Sequence, residues 1–130
     1  MKNLLYFVRQ SIAIMLLSGT CFSQNNRDVF TKLKEEVVEI QTFHDNLISY
    51  TNSTDDSVRL LYNIKIDTLS GIKGDPKNVY YSIYVGESHK THTVRWETFL
   101  MSLDMKKIFV YDVGRDTYVT LNEWREQKRK

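Results

Sequence analysis

The chain has 130 residues, of which 42% are apolar, 26% charged and 12% aromatic, so it holds one compact domain and lacks the length for two cores. With only 5 Gly and 1 Pro it is neither collagen-like nor of disordered composition. The formal charge of +2 comes from the first 23 residues: they hold Lys2 and Arg9 and no acid, so the remaining chain carries 16 bases against 16 acids. A balanced charge leaves no electrostatic footprint for nucleic acid.

Residues 1–23 read as a signal peptide and 24–130 as a single domain. Lys2 and Arg9 make a positive start, and the uncharged stretch from Ser11 to Phe22 is shorter than the roughly 20 residues a membrane-spanning helix requires. Cys21 and Ser23 are small residues placed for cleavage between Ser23 and Gln24. A leader ending in Phe-Ser before Gln resembles the export signals of Bacteroidota, which implies a periplasmic or extracellular protein. Membrane contact is expected only if the leader is retained or if Cys21 is lipidated; the Ser18-Gly19-Thr20-Cys21 stretch departs from a lipobox at Ser18 and Thr20. Cleavage after Ser23 would leave no cysteine, hence no disulfide and no thiol chemistry.

Residues 26–50 carry a helical period. Phe30, Leu33, Val37, Ile40, His44 and Leu47 recur at alternating spacings of three and four, which predicts one long amphipathic helix with Asp28 as its cap. From Val58 the period becomes two. Strands are predicted at Val58–Thr68, Asn78–Gly86, Thr93–Leu103 and Lys107–Val113, and their short connections require antiparallel neighbours. Gly71, Gly74 and Asp75-Pro76 mark the long turn between the first two. At the end, Thr120 and Glu123 match a capping box, with Val119 and Trp124 spaced as a hydrophobic staple, so Leu121–Lys128 should be a short helix.

The expected fold is therefore α+β: one long N-terminal amphipathic helix packed on a four-stranded antiparallel meander, closed by a short C-terminal helix. Over residues 26–113 that element order resembles cystatin-like domains and, more loosely, cone-shaped folds of the nuclear transport factor type. The inhibitory Gln-x-Val-x-Gly hairpin of cystatins is absent; Tyr84-Val85-Gly86 is the nearest piece and lacks the Gln, so protease inhibition is not implied.

No recognisable catalytic motif is present, and no cofactor or metal is expected. Glu87, His89 and His92 are the one cluster of metal-ligand types, read as a solvated hairpin loop. His44 on the helical stripe is read as a rim residue of the core, and Asp112 as a strand-end acid capping the turn at Gly114. The aromatic excess points further. Tyr80, Tyr84, Trp96 and Tyr111 are the candidate binding residues, on a sheet face that no helix would cover. The expectation is an exported, non-enzymatic module binding another protein, such as an envelope accessory or an immunity protein. The alternative is a small ligand-binding or catalytic domain with a pocket between helix and sheet, served by His44 and Asp112.

Overall fold

The computed structural model describes residues 25–54, 56–70, 72 and 78–130. The expected leader, with Cys21 and the Ser23/Gln24 cleavage point, lies outside the described residues. Two helices precede the sheet: α1 over residues 25–36 and α2 at Glu39–Ser53. Five strands follow, β1 at Arg59–Leu69, β2 at Asn78–Ser88, β3 at Thr93–Ser102, β4 at Ile108–Asp112 and β5 at Thr117–Thr120, then helix α3 at Leu121–Lys128. The strands pair in chain order as an antiparallel meander. The fold is α+β, as expected.

The single N-terminal helix of the sequence reading is two helices. Its stripe is placed as anticipated, since Phe30, Leu33, Val37, Ile40 and Leu47 are all buried. The backbone, however, breaks at Val37-Val38. The Val37 amide still reaches the Leu33 carbonyl at 2.8 Å, but Ile40 and Gln41 bond three residues back, to Val37 and Val38, each at 3.0 Å. Two consecutive β-branched residues weaken a helix here, and the freed Glu36 carbonyl accepts a hydrogen bond from Arg125 Nη2 at 2.9 Å. The same guanidinium grips Glu39 through Nε at 2.7 Å and Nη2 at 3.0 Å. This paired contact holds the Glu39 carboxyl below its ordinary pKa. Asp28, read as a helix cap, lies inside α1, which is already helical at residue 25.

The sheet has five strands where four were expected, because residues 117–120 add an edge strand before the last helix. A four-residue strand leaves too little alternation to announce itself. Its existence rests on pairing with β4, Tyr118 opposite Tyr111 and Val119 opposite Val110. The final helix begins as anticipated: Thr120 accepts from the Glu123 amide, Glu123 reaches back to the Thr120 amide at 2.8 Å, and Val119 and Trp124 are both buried.

Core packing is concentrated on the helix side of the sheet. Val29, Leu33, Val37 and Ile40 meet Tyr81, Ile83 and Val85 of β2, Phe99 and Met101 of β3, Val110 and Val119, with Trp124 sealing one end. Trp124 stands edge-on to Phe99 and Trp96, and Trp96 stacks on Phe43 of α2 with centroids 4.6 Å apart. On the opposite face, hereafter the far face, a smaller cluster joins Tyr80, Leu100 and Phe109 beneath Ile72. Among the described residues no helix is long and apolar enough to cross a membrane.

Candidate functional site

The four aromatic residues singled out by sequence do not form one platform. Tyr80 is fully buried at 0% exposure, wedged edge-on against Phe109 in the far-face cluster, so it is a packing residue. Trp96 points the other way, toward the helices. The cause is a bulge in β3: Val85 pairs with Glu97 but the next residue, Gly86, pairs with Arg95. Strict alternation back from Phe99 would send Trp96 to the far face. The extra residue turns Trp96 to the helix side and Arg95 to the far side. Gly86 is required there, because a Cβ on it would sit 2.3 Å from the Val94 carbonyl oxygen.

Tyr84 and Tyr111 do share the far face. Asn63 pairs with Tyr84, Tyr84 with Thr98, and Tyr111 with Tyr118, in successive strands. Phe99 opposite Val110 carries the row from Thr98 across to Tyr111. The result is a transverse band, Asn63–Tyr84–Thr98–Tyr111–Tyr118, half-buried except for exposed Asn63. Ile72 covers the far face on the Tyr80 side of this band. On the other side no described helix or loop lies over it. Leu61, Asn63, Lys65, Ser82, Tyr84 and Thr93 border a groove of about 460 Å³ that straddles the β1–β2 end of the band.

The charges on that open half are positive: Arg59 and Arg95 are exposed and fall on its far-face positions, while Lys65 lies across the band toward Tyr80, paired with Asp67 at 3.2 Å. Arg95 lies over the Tyr111 ring, 5.7 Å from its centroid, a cation–π contact that holds the guanidinium against the sheet. The Tyr111 hydroxyl donates to Asp116, and this hydrogen bond, followed by burial, raises the phenol above its ordinary pKa. Tyr118 is also raised, chiefly by burial. Both phenols therefore stay neutral donors at physiological pH.

A second concavity lies between α2 and the β2–β3 hairpin, about 520 Å³, lined by Phe43, Asn46, Leu47, Tyr50, Glu87 and His89. His89 was read as part of a solvated loop and is instead pinned. Its Nδ1 meets Asp56 Oδ2 and its Nε2 meets Glu87 Oε2, both at 2.9 Å, and the side chain is 13% exposed. Its ring also stacks on His92 at 4.5 Å. The bonds to Asp56 and then Glu87 raise the His89 pKa. With a carboxylate on each nitrogen, the His89 ring is a clasp between the loop after α2 and the hairpin, and both of its nitrogens are engaged. Asp56 stands 33 residues from His89, a separation no local pattern reveals.

Neither His44 nor Asp112 lines this concavity. Asp112 Oδ1 accepts from the Gly114 and Arg115 amides at 3.0 and 3.2 Å, the turn-capping role expected of it. His44 is half-buried on α2. Among the described residues no group of three or more His, Cys, Asp or Glu side chains converges to hold a metal ion. The chain matches no known family, and no curated protein or solved structure is significantly similar to it.

Proposed function

We propose that this chain is an exported, non-enzymatic interaction module whose open far-face half binds the acidic surface of a partner protein. The transverse aromatic band flanked by Arg59 and Arg95 supports this reading. Half-buried tyrosines present flat apolar area at little conformational cost, while the exposed guanidinium groups select for carboxylates. The element-order likeness to cystatin-like domains belongs to the same proposal; it bears on fold ancestry and adds no activity.

The test is affinity recovery from the native host, comparing the wild-type chain with Tyr84→Ala/Arg95→Glu. Both substituted side chains are at least partly exposed, and circular-dichroism melts of the variant check that removing the half-buried Tyr84 ring leaves it folded. A stoichiometric protein recovered with wild type and lost with the variant is the expected result. Recovery of the chain alone, or of the same proteins with both forms, overturns the reading. The intact mass of the recovered chain tests cleavage before Gln24.

A second reading has its own observation, the concavity between α2 and the β2–β3 hairpin. Its volume of about 520 Å³ lies within the range of small-molecule sites. Phe43, Leu47 and Tyr50 would take an apolar or aromatic group there, and Asn46 and Glu87 would take a hydrogen-bond donor. A small molecule retained in native mass spectrometry, and displaced by Leu47→Trp, would favour this reading over the first.

A further inference from the structure

The two edges of the sheet are unequal. The outer strand β5 has four residues and turns at once into α3, whereas β1 has eleven and, among the described residues, no strand on its outer side. A long edge offers a row of backbone donors and acceptors to another chain unless charge or a bulge spoils it. In β1 the charged residues are Arg59, Lys65 and Asp67, and the last two stand two apart on one face with opposite signs, 69% and 36% exposed. On the other face Ile66 is 57% and Tyr62 40% exposed, high values for apolar residues in a sheet.

We propose that the outer edge of β1 is a homodimer interface, in which two copies pair antiparallel about a two-fold axis through Ile66. An axis normal to the sheet keeps both sets of helices on one side and joins the two sheets into one of ten strands. Residues directly opposite in an antiparallel pair share a face, so the choice of centre decides every cross-strand contact. Centring on Lys65 or on Asp67 places like charges against each other. Centring on Ile64 sets Lys65 against Asn63 and Asp67 against Leu61. Centring on Ile66 sets Lys65 of each copy against Asp67 of the other, twice, and covers exposed Ile66 with its own counterpart. Centring on Asn63 also sets Arg59 against Asp67, but it leaves Lys65 against Leu61 and Ile66 against Leu60; of these registers, only the one centred on Ile66 pairs both Lys65 and Asp67 with opposite charges.

Sedimentation velocity of the purified chain across a wide concentration range tests the proposal, with circular-dichroism melts confirming that each variant is folded. Wild type should show a reversible monomer–dimer equilibrium. Lys65→Asp and Asp67→Lys should each weaken it about tenfold or more, since two attractive pairs become repulsive. Each substitution also breaks the contact at 3.2 Å between Lys65 and Asp67 within one chain, so mixing supplies the decisive arm. An equimolar mixture of the two variants sets two acids of one chain against two bases of the other and should recover a dimer. The double variant K65D/D67K should self-associate as wild type does. A chain monomeric at every concentration, a dimer indifferent to the reversals, or a mixture that fails to associate overturns the interface.

Discussion

The two faces of one sheet are built to different standards. On the helix side, α1, α2 and α3 together bury a continuous apolar layer from Val29 to Trp124. On the far side, among the described residues, Ile72 joins a small cluster of Tyr80, Leu100 and Phe109 with Leu69 and Tyr118 packed at its margin, and the open half of the face meets solvent through Tyr84, Tyr111 and Arg95. Stability therefore resides mainly on one side, leaving the other free to carry residues chosen for contact with something else.

Adjacent residues on β3 break or sharpen this contrast most directly. Phe99 and Leu100 are both 0% exposed and point to opposite faces. Phe99→Ala should cost about 3–5 kcal/mol in denaturant unfolding, since the surrounding helices hold the cavity open. Leu100→Ala should cost nearer the lower end of the 2–5 kcal/mol range, about 2, because the smaller far-face cluster can settle into the space. Equal losses would mean that the far face is a second core, and the contrast would fail.

The bulge tests how the faces are kept apart. Gly86→Ala drives a methyl into the Val94 carbonyl, an overpacking cost of about 1–3 kcal/mol. A shift of the Trp96 fluorescence environment should accompany it, because the bulge is what turns that ring toward Phe43.

The smallest expected effect is that of pH. His89 has a raised folded-state pKa, its ordinary value being 6.5. Its contribution is complete below that ordinary value and is lost as pH rises through the folded value. Carboxylates Asp56 and Glu87 favour the cation, and the His92 ring stacks on it. Thermal unfolding should thus show stability declining as pH rises above the ordinary value of 6.5, a decline that His89→Gln removes. An unchanged slope in the variant would show the clasp to be inconsequential.

Much of this was readable from residue order alone. The capping box at Thr120, the staple of Val119 on Trp124, the buried stripe of α1 and α2, and the main strands all rest on local spacing, and local spacing survives folding. What escaped depended on partners distant in sequence. The helix break at Val37 is completed by Arg125, and His89 is pinned by Asp56. Trp96 and Arg95 exchanged faces because a one-residue bulge reverses every side chain beyond it. Of the three candidate tyrosines and one tryptophan, Tyr84 and Tyr111 lie on the open face; alternation puts Tyr80 on the same face as Tyr84, and only the cluster under Ile72 shows that Tyr80 is buried.

The grip of Arg125 on Glu36 and Glu39 spans 89 and 86 residues of chain. It sets an order in time as well as in space. A ribosome delivers the two halves of the broken helix well before the side chain that completes the break. Until then the Glu36 carbonyl must be satisfied by water and Trp124 has no place beside Phe99. The first two helices thus wait on α3, so the domain closes only once Arg125 has been synthesised.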